Sequence, residues 1–298
     1  MFVVTYRKFF YGLSALLMIG SIVALLVWGL KFGIDFKGGA ILEVAYTDVR
    51  PETAQVKEAL APLSLGEYSV RTTGEKGFII RTKAITPAEK TVIVDALSKG
   101  GVVVTESRFD SIGPLLGAEA AKKALTSIAL VILCIVLYIT FAFRAVSEPV
   151  SSWKYGLVAI FSLIHDVLVP AGVFAVLGHF QGIEVDTLFV TALLVILGFS
   201  IHDTIVVFDR VRENLRLSRR EDFATTVGTS INQTFARSIN TSLTVLIALL
   251  VLYFVGGEST RHFTLALLVG IVAGTYSSIF LGSPLLVTLE QWQNKSKN

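Results

Sequence analysis

Ala124-Leu-Thr-Ser-Ile-Ala-Leu-Val-Ile-Leu-Cys-Ile-Val-Leu-Tyr-Ile-Thr-Phe-Ala-Phe143 contains no charged side chain. A helix of about 20 such residues, rising 1.5 Å per residue, crosses a hydrocarbon core of about 30 Å. Five further tracts read the same way: Phe9–Leu30, Tyr155–Gly178, Thr187–Phe208, Ser238–Gly257 and Phe263–Leu289. A soluble core accommodates one such tract or two, but not six. Composition agrees, with 53% hydrophobic and 16% charged residues against about 25% charged in soluble domains. The expected class is an α-helical polytopic membrane protein with six transmembrane helices.

The first tract follows Arg7 and Lys8 as a secretory signal would. It runs instead through Trp28-Gly-Leu-Lys into Gly33-Ile-Asp-Phe-Lys-Gly-Gly39 with no small-residue cleavage pattern, so it reads as a retained helix. Cys134 is the only cysteine, which excludes an intramolecular disulfide. Basic residues are distributed unevenly. Arg7, Lys8, Arg144, Lys154, Arg210, Arg212, Arg216, Arg219, Arg220, Arg237, Lys295 and Lys297 would share one side of the membrane, while the short loops opposite, 179–186 and 258–262, offer Arg261 alone. The positive-inside rule then predicts cytoplasmic termini and an extracytoplasmic soluble domain. Asp209, Glu213, Glu221 and Asp222 interrupt the basic loop, and aromatics for base stacking are nearly absent there. That pattern is membrane anchoring toward lipid headgroups, with no nucleic acid expected.

Between Lys31 and Lys123 hydropathy falls, and secondary-structure signals succeed one another. Ile41-Leu-Glu-Val-Ala-Tyr46 alternates as a strand, and Pro51–Leu60 carries Val56, Ala59 and Leu60 at helical spacing. Residues 67–72 and Gly77–Thr82 are two strands joined at Thr73-Gly-Glu-Lys. Thr86-Pro-Ala-Glu89 is a capping box with proline at the first helical position, opening a helix to Leu97 that stops at Gly100-Gly101. Val102 then starts another strand. The order strand, helix, strand, strand, helix, strand predicts one ferredoxin-like α+β domain at 31–123, a scaffold that names no activity. It holds no nucleophile and base at recognisable spacing and no His/Cys/Asp cluster, so neither catalysis, metal nor cofactor is expected.

The last tract places Gly270, Gly274 and Ser278 on one face, allowing another helix close approach, either within the chain or between subunits. Thr275, Ser277 and Ser278 supply hydroxyls to bond across that contact. Pro170 and Pro284 should kink their helices or sit where a neighbour compensates.

Charges inside the apolar tracts are the informative residues. His165 and Asp166 lie roughly 17 Å along the third helix from Lys154, near mid-membrane. An ionised aspartate facing lipid there costs about 2.5–3.5 kcal/mol even on the lenient scale, so it must face protein or water. His202 and Asp203 sit in the fourth helix, Asp203 about 9 Å inside its cytoplasmic end. Arg237 opens the fifth helix in the same leaflet, where an ion pair with Asp203 is geometrically reasonable. Two readings follow. A sheltered carboxylate tuned by a permanent cation can load and release a proton. Alternatively, Arg237 snorkels as an anchor and Asp203 hydrogen-bonds its own bundle. His165 and Asp166 admit a proton relay or a packing pair. Asn232, Gln233, Asn240, Thr241, Ser242 and Thr244 either line a wet path or satisfy one another.

Five stretches are distinctive together: Gly33–Gly39, Asp110-Ser-Ile-Gly-Pro-Leu-Leu-Gly117, His165-Asp166, Gly198-Phe-Ser-Ile-His-Asp-Thr-Ile-Val-Val-Phe-Asp-Arg-Val-Arg-Glu-Asn214 and Asn232-Gln-Thr-Phe-Ala-Arg-Ser-Ile-Asn-Thr-Ser242. In them the chain resembles the SecD/SecF family of bacterial protein-export membrane proteins, within the resistance-nodulation-division superfamily. The resemblance covers nearly the whole chain. It implies a bacterial inner-membrane protein partnered by SecD, associated with the SecYEG channel and often YajC, and acting after SecA has driven the preprotein inward. It further implies use of the proton-motive force, with sodium in some relatives. Asp203 and Arg237 match the family residues implicated in proton movement, their counterpart carboxylate lying in SecD. His202 departs from the asparagine common before that aspartate. The soluble domain resembles the family's smaller periplasmic domain, for which the resemblance implies a supporting or docking role. The alternatives are half of a proton-driven small-molecule or lipid exporter, or a non-conducting assembly scaffold.

Overall fold

The computed structural model describes residues 2–98, 103–144, 151–217 and 221–295. The Gly100-Gly101 helix stop, the strand start at Val102, and Arg219, Arg220 and Lys297 lie outside them. Two compact units divide the chain, one of Met1–Lys31 with Thr126–Asn298 and one of Phe32–Leu125.

In chain order, α1 (Phe2–Thr5) precedes the membrane-length α2 (Arg7–Val27), and the soluble unit follows. A short turn, α3 (Ile34–Lys37), leads to β1 (Gly39–Tyr46), α4 (Thr53–Leu60), β2 (Ser69–Thr73), β3 (Gly77–Thr82), α5 (Pro87–Leu97) and β4 (Val104–Ile112). The sheet order is β2-β3-β1-β4 with every neighbouring pair antiparallel, the ferredoxin-like arrangement. Alternation along β1 buries Ala40, Leu42, Val44 and Tyr46, which join Phe78 and Ile80 of β3 beneath Val56, Leu60, Ile93 and Leu97 of the two helices. Both helices begin with reciprocal capping boxes, Glu52 with Gln55 and Thr86 with Glu89. The Thr86 backbone N–H donates to Glu89 at 2.7 Å, and these bonds hold the Glu89 carboxyl below its ordinary range.

The entry and exit of the soluble unit touch. Gly38 has φ +77°, a left-handed conformation, and a Cβ there would stand 2.7 Å from the Pro114 Cα. A Cβ on Gly117 would stand 2.8 Å from the Gly38 nitrogen. Glycine is required at both positions because backbone packs on backbone.

The division between the units falls within α6 (Pro114–Ala142), and the membrane unit continues with α7 (Ser152–Gln181), α8 (Thr187–Leu217), α9 (Phe223–Val255), α10 (Glu258–Tyr276), a π-helical segment (Ser277–Gly282) and α11 (Ser283–Lys295). Six helical spans among the described residues are long and apolar enough to cross a membrane. α7, α8 and α10 form the interior, and small residues bring their backbones together as lipid-phase packing demands. Cβ atoms built on Gly270 and Gly274 would overlap Ile196 and Ser200 of α8, so the glycine face of the last tract is an intramolecular contact. Gly172 of α7 meets Ser21 of α2 in the same way. On α6, Leu130, Leu133 and Leu137 point outward, as do Leu243, Ile247 and Val251 on α9.

Pro170 is accommodated within α7. Pro284 is the second residue after the π-helical segment. Proline lacks an N–H and clashes with the carbonyl four residues earlier, here that of Phe280, and a widened turn absorbs both defects.

Candidate functional site

Asp203 is 3% exposed and sits on the inner face of α8, one turn beyond Ser200. Ser242 of α9 donates to its Oδ2 at 3.4 Å, and Thr275 of α10 donates to the Ser242 hydroxyl at 2.6 Å. A carboxylate and two hydroxyls therefore form a chain across three helices. Serine and threonine suit this place because their hydroxyls can fall back on their own helix, as Thr275 does with the Ile271 carbonyl at 2.8 Å.

Arg237 and Asp203 form no ion pair among the described residues. Arg237 is exposed on the outer surface of α9, although it and His202 are the basic groups near enough to act electrostatically on Asp203. The neighbouring Ser238 is buried, and its hydroxyl has no partner among the described residues. His202, Gln233, Asn240 and Thr244 are also exposed. Polar groups thus occupy the chain's own outer surface within or at the edge of the apolar tracts, where lipid is an unfavourable neighbour.

His165 and Asp166 of α7 are fully buried, each 0% exposed. His165 Nδ1 lies 2.9 Å from Asp166 Oδ1, and Ser277 donates to Asp166 Oδ2 at 2.9 Å. Ser200 of α8 donates to the same oxygen. The Ser278 hydroxyl, 2.8 Å from that of Thr204, also bonds the Ser200 carbonyl at 3.1 Å. The structure thus gathers Asp166, Ser200, Thr204, Ser277 and Ser278 where α7, α8 and the start of the π-helical segment meet. Sequence reasoning passed over Ser200 and Thr204. Their spacing of one helical turn on the face of Asp203 was the available signal.

The family described as Protein export membrane protein SecD/SecF, C-terminal, matches residues 93–292, and the SecD/SecF GG motif matches residues 23–48. The chain is 45% identical over 306 residues to the protein translocase subunit SecF of Thermobaculum terrenum, covering 98% of this chain and 94% of that one. With the SecF of Anaerolinea thermophila it shares 40% identity over 293 residues, covering 97% and 94%. Both relatives are named as translocase subunits. Among solved structures, SecDF from Thermus thermophilus, described as a translocon-associated membrane protein, superposes with a TM-score of 0.81 at 31% identity. The match covers 98% of this chain but 38% of the SecDF chain. SecDF in its super-membrane-facing form gives 0.69 at 30% identity. By these matches the chain belongs to the SecD/SecF family of protein-export membrane proteins.

Proposed function

We propose that this chain is one half of a two-part export assembly, working with a SecD partner to couple the proton-motive force to late steps of preprotein translocation. The observation that carries the reading is the buried Asp203 beside an open polar surface of Arg237 and Asn240. Lipid cannot solvate that surface, whereas a second membrane bundle bringing its own carboxylate can. Arg237 stays charged and is free to pair across such an interface, while Asp203 is the group that titrates. Protonation of Asp203 would alter its bond to Ser242 and so the packing of α8 against α9. The match to 38% of a longer SecDF chain supports the partnership.

In this reading both termini lie in the cytoplasm, the ferredoxin-like unit is periplasmic, and SecYEG, YajC and SecA are neighbours in the pathway. The test is purification of the chain from its native membrane in mild detergent, followed by mass spectrometry. Recovery of SecD in equal amount, lost when Arg237 and Asn240 are both replaced by leucine in a chain that still accumulates, is the expected result. A chain that purifies without a second membrane protein would overturn the reading.

A further inference from the structure

We infer that the His165–Asp166 dyad is a second proton-binding site, with His165 Nε2 as the atom that takes and gives up the proton. The inference deepens the proton-coupling reading and rests on it for its purpose.

Both oxygens of Asp166 are engaged, with the His165 ring on Oδ1 and the Ser200 and Ser277 hydroxyls on Oδ2. The two hydroxyl donors favour an ionised carboxylate, which can only accept, and beside that carboxylate it is the Nδ1 of His165 that holds the proton between them. The opposite ring nitrogen, Nε2, is buried and has no hydrogen-bond partner among the described residues. No Lys or Arg among the described residues reaches Asp166, and His165 is its single ionic contact.

Two charge states follow. With Nε2 bare, the dyad carries a net negative charge with no exposure to water, a costly burial. A proton on Nε2 makes the pair electrically neutral without disturbing any bond already made. The ring nitrogen that takes this proton lies on the side away from the carboxylate.

The surrounding groups are accounted for. On α10, the Tyr276 ring centre lies 6.1 Å from that of His165, and its hydroxyl is occupied by the Phe10 carbonyl of α2 at 2.8 Å, with Ser14 nearby. On α8 the nearest acid is Asp203, one turn past Ser200. From α11 no charged group bonds the dyad. The two acids also share a contact segment: Thr275 serves Asp203 through Ser242, and Ser277 serves Asp166. A proton arriving at either acid is therefore felt at the entrance to the π-helical segment.

The direct test is 15N magnetic resonance on the full chain with its native partner in lipid nanodiscs, ring-labelled at histidine. The His165 signals are assigned by their loss in His165→Gln. Across the pH range the complex withstands, Nε2 should convert between a bare and a protonated nitrogen while Nδ1 stays protonated throughout. Asp166→Asn should displace that conversion. An unchanging protonation state of His165, or a ring with Nδ1 bare, would overturn the inference, and the wild-type spectrum alone decides it if Asp166→Asn fails to assemble. The readout is independent of export, so a titrating His165 in a complex whose export ignores the proton gradient would sink the proposed coupling and leave the site standing.

Discussion

Gly274 of α10 lies against Ser200 of α8 so closely that a Cβ on the glycine would stand 2.9 Å from the serine Cβ. The same serine bonds Asp166, so the glycine holds in place a hydroxyl that one buried acid depends on. Gly274→Val should therefore separate α8 from α10. Overpacking of this kind costs about 1–3 kcal/mol. The expected outcome is a lowered unfolding temperature of the purified complex, with Gly198→Ala as a control because open space surrounds that position.

The joint between the ends of the soluble unit makes a similar prediction. Gly38→Ala combines a left-handed backbone with a collision against Pro114, and should reduce accumulation of the protein severely. Gly74→Ala carries only the conformational cost, about 1–2 kcal/mol, because its surroundings are open. Thermal unfolding of both variants in the full chain separates the two contributions.

Acid should loosen the start of α5. The bonds from Thr86 hold Glu89 ionised to lower pH in the folded state than in the unfolded chain. Their contribution to stability is therefore present above the ordinary carboxylate range and is lost as pH falls through the depressed value. The protection of the Glu89 amide, which donates to Thr86 at 3.3 Å, should fall in acid when its exchange is compared with the intrinsic rate at each pH. That protection should already be low in Thr86→Ala, with little further pH effect from this source.

Buried serines in the bundle are not equivalent. Ser242→Ala removes the donor to Asp203 and should slow proton-dependent preprotein release in reconstituted vesicles. Ser238→Ala, four residues earlier on the same helix, removes a buried hydroxyl without a partner and should leave release unchanged and the protein as stable or slightly more so. Equal effects from the two would contradict the assigned role of Ser242.

What the sequence disclosed, and what it withheld, follow from the range of the forces involved. Thr86 and Glu89 are legible because a capping box is completed within four residues, and β1 because alternation needs only its own side chains. Hydropathy marks the apolar part of a helix, so it could not show that α6 starts at Pro114 or α9 at Phe223. Helical spacing placed Asp203 and Arg237 in one leaflet but not on facing surfaces. Ser238 and Ser242 are one turn apart on the inner side of α9, whereas Arg237, Asn240 and Thr244 lie on the outer side. The gathering of Ser200 and Ser277 on Asp166 depends on where three helices cross, and no local pattern encodes a crossing.

Asp203 is the residue on which the account turns, and the decisive measurement is preprotein release from vesicles that contain the complete translocase and carry an imposed proton gradient. Asp203→Asn preserves shape while removing the titratable group, and should abolish the gradient-dependent part of release while expression and partner binding stay normal. Release that still responds fully to the gradient in that variant would contradict the account.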